Sequence, residues 1–174
     1  MRRYGSPVED ALPDLLAPGL PLVFCGSAAG TASARAGAYY AGPGNVFWEA
    51  LYEAGLCPEL LAPDEYRRLP EFGIGLTDLC KVSHGSDAEV AAEYDVDRLR
   101  AAIAEAEPMR LAFNGKNAAQ AVLEMAVGYG VQEETVGGAE VWVLPSTSGR
   151  ARRFWKIEPW RRLAEALAGD SSPG

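Results

Sequence analysis

Three short apolar runs, each stopped by a turn residue, punctuate the chain: Leu22–Cys25 before Gly26, Arg110–Phe113 before Asn114 and Gly115, and Val141–Leu144 before Pro145. Runs of this length without polar alternation predict strands buried on both faces. A fourth strand is expected to end in Gly75-Leu76-Thr77-Asp78-Leu79. Between them the period lengthens. Val46, Phe47, Ala50, Leu51 and Ala54 share one helical stripe, with Asn45 placed to cap it and Gly55 to stop it. Leu99, Ala102, Ile103 and Ala106 repeat the spacing within Asp97–Ala106, and Pro108 lies just beyond. Lys116–Val127 and Pro159–Ala168 complete the helices, with Pro159 expected at a first helical position. Strands alternating with helices imply parallel pairing and a three-layer α/β/α sandwich with a mostly parallel central sheet. In such sheets the active site lies beyond the carboxyl ends of the strands. The expected organisation is an N-terminal arm over 1–15, one domain over 16–169 and a flexible tail over 170–174. The loop from Cys80 to Tyr94 is the other segment expected to be mobile.

Composition narrows the function classes. The chain has 174 residues, 48% hydrophobic and 23% charged, which suits a single domain with an ordinary core. Its longest apolar stretch falls far short of the roughly 20 residues needed to cross a bilayer. Arg2 and Arg3 have no apolar stretch behind them, so the expected compartment is the cytoplasm and no membrane partner is expected. Cys25, Cys57 and Cys80 are widely spaced and His84 is the only histidine, which supports neither a disulfide framework nor a zinc site nor an iron–sulfur cluster. No metal or cofactor is expected. The net charge of −8 argues against a phosphate-rich partner, but the charge is uneven. Arg150, Arg152, Arg153, Lys156, Arg161 and Arg162 face only Glu158 in their segment, so a basic face on an acidic body can still dock a duplex.

Each strand runs into an unusual loop: Gly26-Ser27-Ala28-Ala29-Gly30 after the first, and Pro145-Ser146-Thr147-Ser148-Gly149-Arg150 after the last. Small residues there let backbone approach a ligand closely. The first loop lacks the G-x-G-x-x-G spacing of a dinucleotide site, and no Walker lysine follows. Taken together, Leu16-Ala17-Pro18-Gly19-Leu20, Val23-Phe24-Cys25-Gly26, Gly30, Pro43-Gly44-Asn45-Val46-Phe47-Trp48 and Trp142-Val143-Leu144-Pro145-Ser146-Thr147-Ser148-Gly149 resemble the mismatch-specific uracil-DNA glycosylase and thymine-DNA glycosylase family, in order from about Leu16 to Arg162.

The resemblance implies a monofunctional glycosylase of the uracil-DNA glycosylase-like fold. It would act as a monomer on double-stranded DNA carrying mismatched or damaged pyrimidines, often opposite guanine, without metal or cofactor. It also assigns a base pocket to Gly26, Ser27, Ala28, Tyr40 and Ser146, with the Tyr40 ring stacking on the extruded base and the backbone of Ser27 and Tyr40 reading its edge. If the ring alone serves, phenylalanine would do as well at position 40. Ser148, Gly149 and Arg150 fall where the family inserts a wedge into the duplex, and Arg152, Arg153 and Lys156 are placed for phosphate contacts.

Two departures bear on mechanism. The family's first motif reads G-I-N-P-G, whereas this chain has Ala28 and Ala29 where the water-holding asparagine and the proline would stand. Ser146 and Thr147 likewise replace the first two residues of N-P-S-G. Breaking a glycosidic bond builds positive charge on the deoxyribose, so a carboxylate that stabilises the sugar and aligns water can substitute. Asp78 is the catalytic candidate, expected to be ionised near its ordinary pKa of roughly 3.9, with a turn or capping role as the plainer alternative. Asp64, Glu71 and Asp87 are lesser candidates. Lys81, Lys116 and Lys156, the only lysines, match no catalytic position, which disfavours a Schiff-base step. Two rivals are a lesion sensor that kept the fold but lost the chemistry, and a hydrolase of free nucleosides.

Overall fold

The computed structural model describes residues 12–81 and 93–170. Most of the Cys80–Tyr94 loop, with His84 and Asp87, lies outside the described residues, as do residues 1–11 and the tail beyond Asp170. The described residues form a five-stranded sheet of β1 (Leu22–Ala28), β2 (Ile74–Cys80), β3 (Arg110–Asn114), β4 (Gly130–Val136) and β5 (Ala139–Leu144), in the order β2-β1-β3-β5-β4. All pairings are parallel except β4 with β5. The central strands are buried on both faces, as their unbroken apolar runs require. One face of the sheet packs on α1 (Thr31–Ala36), α2 (Phe47–Ala54) and α5 (Glu158–Asp170). The other packs on α3 (Val96–Ala106) and α4 (Lys116–Leu123). The three-layer α/β/α sandwich is therefore the observed architecture.

Local chemistry explains most boundaries. The N-cap of α2 is Val46, which makes no side-chain capping bond, rather than the expected Asn45; Asn45, one residue earlier, accepts the Phe47 N–H through Oδ1 at 3.0 Å, and Gly55 ends the helix at φ 86°, where a side chain is disfavoured. Asp95 caps α3 by accepting the Arg98 N–H. Four further expectations need correction. β1 does not stop at Cys25 but runs through Gly26 and Ser27 to Ala28, because β2 continues beside it as far as Cys80. α4 stops at Leu123 rather than Val127, where Glu124 adopts φ 56° to redirect the chain into β4. α5 begins at Glu158, an acid that complements the helix dipole, so Pro159 is not first. β4 itself has no counterpart in the sequence reading: its polar Gln132, Glu133 and Glu134 mask a strand that pairs through a Gly137-Gly138 hairpin turn, both glycines at positive φ.

Residues 12–15 lie against the outer edge of β2. Leu15 exchanges both backbone hydrogen bonds with Leu76, and a Cβ on Gly75 would come 2.6 Å from the Leu15 carbonyl, so only glycine admits this contact. Leu12 is buried in the core beneath.

Candidate active site

Three neighbouring strands bring one residue each to the same level near their carboxyl ends. Gly26 of β1 pairs with Asp78 of β2, and Cys25 pairs with Phe113, which sets Asn114 on the other side of Gly26. Phe24, Leu76 and Ala112, two residues earlier on each strand, face the core shared with α2 and α5. By strand alternation Asp78, Gly26 and Asn114 form one row on that face. Tyr40 drops into this row. A Cβ on Gly26 would lie 2.7 Å from Asp78 Oδ1 and 3.1 Å from Tyr40 Oη, so the bare glycine lets carboxylate and hydroxyl close over the strand together.

Tyr40 is held firmly in an uncommon conformation. Its φ is 53°, in the left-handed region that non-glycine residues rarely occupy. Its ring stacks on Phe47 with centroids 4.0 Å apart. On either side, Ser33 Oγ accepts the Ala41 N–H and Trp48 Nε1 donates to the Tyr39 carbonyl. The Tyr40 hydroxyl is buried and makes no hydrogen bond among the described residues. Asn114 approaches it closely enough to favour its ionised form without completing a bond of good geometry. Burial, and then the Asp78 charge, keep its pKa well above the ordinary value.

Asp78 lies within β2, not in a turn after it, and is only 3% exposed. The expectation of an ordinary, fully ionised carboxylate is therefore corrected. Burial pushes its pKa up to about 7; Lys81 and Arg98 pull it down, and Asp14 pushes it further up. These three neighbours form a network behind the strand. Asp14 pairs with Lys81 at 2.9 Å and with Arg98 at 3.0 Å, and accepts the Thr77 hydroxyl at 2.6 Å. Arg98 also donates to the Asp78 backbone carbonyl, and Lys81 to the Tyr39 hydroxyl. Asp64 and Glu71 belong to a 3-10 helix, Pro63–Phe72, that precedes β2 and so sits at the opposite end of the sheet.

The second loop is locked to the same row. Asn114 Nδ2 donates to Thr147 Oγ1 at 2.9 Å, while Asn114 Oδ1 accepts the Thr147 N–H at 3.0 Å. Trp160 Nε1 donates to the Pro145 carbonyl and the Val46 N–H to the Thr147 carbonyl, tying the loop to α5 and α2. Thr147, 1% exposed, is thus a structural clamp, whereas Ser146 lines a pocket. That pocket, of about 440 Å³, is bordered by Ser27, Asn114, Lys116, Ser146, Ser148 and Arg150, among others. Gly26, Ala28, Tyr40 and Asp78 are not on its wall. Asn114 is the residue common to the pocket and the inner row. Sequence reasoning treated it only as the end of a strand; the signal available was a polar residue closing an apolar strand at the level of Gly26.

Beyond the pocket, Ser148 accepts the Arg150 N–H and opens a 3-10 turn, Gly149–Phe154. A Cβ on Gly149 would come 3.3 Å from the Pro43 carbonyl, so the two loops touch across the strand ends. Arg150, Arg152, Arg153 and Lys156 are all exposed, and among the described residues none of them enters an ion pair. Arg153 lies over the exposed Phe154 ring, its guanidinium carbon 4.7 Å from the centroid. No group of three or more metal-ligating side chains occurs among the described residues, and no helix there is long and apolar enough to cross a membrane. A family model described as the uracil DNA glycosylase superfamily matches residues 13–166.

Proposed function

Because the chain belongs to the uracil DNA glycosylase superfamily, we propose that it is a monofunctional glycosylase that flips uracil out of duplex DNA and hydrolyses its N-glycosidic bond. Thymine or modified pyrimidines opposite guanine extend the proposed substrate range. The observation that carries the reading is the Asp78 carboxylate over Gly26, at the carboxyl end of β2, with its pKa raised to about 7. A group titrating near the working pH is well matched to take a proton from water.

In this mechanism Arg150 fills the gap left by the extruded nucleotide, while Arg152, Arg153 and Lys156 meet phosphates. Phe47 covers one face of the Tyr40 ring, so the base stacks on the other. As the bond between C1′ and the base breaks, its electron pair leaves with the base. Water adds to C1′, and its proton passes to the Asp78 carboxylate. The burial of Asp78 favours one rival reading, a sensor that binds lesions without chemistry.

The test is one panel of labelled oligonucleotides carrying uracil, thymine, ethenocytosine or hydroxymethyluracil opposite guanine, and uracil opposite adenine. Each is assayed under single-turnover conditions for strand breakage after alkali. Breakage at uracil is expected, with a rate that rises as pH passes through about 7. Tight retention of these duplexes with no breakage at any pH would replace the enzyme with the sensor.

A further inference from the structure

We propose that the Tyr40 hydroxyl, and not only its ring, belongs to the reaction centre: together with Asp78 it holds the water that attacks the sugar. This deepens the glycosylase reading and rests on it. A buried hydroxyl without a partner is unfavourable, and phenylalanine would keep the stack on Phe47 and the surrounding core while removing the penalty. The hydroxyl therefore calls for a ligand. Its position says which: it sits over Gly26, with the Asp78 carboxylate on one side and the Asn114 amide on the other. An ordered water needs two or more polar partners, and Ala28, at the end of the same strand, offers only a methyl group.

The Asn114 amide approaches the phenolic oxygen, which leaves the O–H free to turn toward the Asp78 side of the row. There it donates to one lone pair of the water, while the carboxylate accepts one of the water's protons. The remaining lone pair forms the new bond to C1′ as the bond to the base breaks, and the transferred proton ends on Asp78. Tyr40 keeps its own proton throughout, consistent with a pKa held well above the ordinary value.

Tyr40→Phe, Asp78→Asn and the double variant should be compared with wild type in single-turnover excision of uracil opposite guanine, alongside duplex binding and thermal melting. Tyr40→Phe should slow excision about tenfold to a hundredfold, with unchanged DNA affinity and a melting temperature equal to or above wild type. The double variant should be no slower than Asp78→Asn, since both groups hold one water. Wild-type rate in Tyr40→Phe beside a slow Asp78→Asn would overturn the hydroxyl's role and leave Asp78 in place. Losses that multiply in the double variant would overturn the shared water. A near-normal Asp78→Asn would remove the Asp78 mechanism and this proposal together. If Tyr40→Phe instead melts lower and binds DNA less tightly at unchanged rate, the hydroxyl is structural.

Discussion

Asp78→Asn should make the protein more stable, and by an amount that grows with pH. Below pH 3.8 the carboxyl is protonated in the folded and unfolded chains alike. Between 3.8 and about 7 the folded state retains a proton that the unfolded state has lost, so stability falls as pH rises. Above the folded pKa the full penalty of a buried carboxylate is present. A rise from 3.8 to about 7 corresponds to about 4 kcal/mol at 1.36 kcal/mol per unit. Asparagine has no such titration. Of that total, about 3 kcal/mol should develop between pH 5 and pH 9. At this chain length 1 kcal/mol corresponds to roughly 2–4 °C in melting temperature, so the gap between variant and wild type should widen by about 6–12 °C over that range. The assay is thermal and urea unfolding of both proteins at several pH values and constant ionic strength. Taking the difference cancels titrations common to the two. Parallel curves would show that the carboxyl titrates at its ordinary value and would refute the argument from burial.

Three other substitutions probe separate links. Gly26→Ala places a Cβ 2.7 Å from Asp78 Oδ1, so excision should collapse more than stability does, and an active Gly26→Ala enzyme would contradict the closeness of the row. Arg150→Ala should slow excision of uracil mainly at well-paired sites, where extrusion costs a few kcal/mol, and much less in single strands. Arg153→Ala should instead weaken binding to every duplex and lower its salt slope by roughly 1. Equal, uniform losses for both variants would reduce Arg150 to another phosphate contact.

The sequence carried the layers of the fold because buried parallel strands and amphipathic helices leave opposite signatures, seen in Leu22–Cys25 against Val46–Ala54. It concealed β4 because an edge strand needs only one apolar side, and Gln132 to Glu134 break any apolar run of the kind that marks β1, β3 and β5. Within the site, Asp78 was legible as a carboxylate near a strand end, but its pKa was not. That depends on burial and on Asp14, Lys81 and Arg98, which are brought together only by folding. Asn114 was missed for a similar reason: its meaning lies in Thr147 and Tyr40, which are remote in sequence. The hydroxyl of Tyr40 could be read from the chain, whereas its lack of a partner could not.

The short segment at residues 12–15 ties synthesis order to chemistry. Asp14 leaves the ribosome before its partners Thr77 and Arg98, which follow 63 and 84 residues later. The pKa of Asp78, which Asp14 raises, is therefore set only after Arg98 has been made. Leu15 is held to the edge of β2 by its two bonds with Leu76. Local detachment of such an edge segment requires less free energy than global unfolding. A molecule in that state would keep its sheet and its DNA-facing loops while Lys81 and Arg98 lost their shared counter-ion. Its carboxyl would become more acidic and a weaker base, so fluctuations of this edge segment would register as heterogeneity in rate among molecules that all look folded.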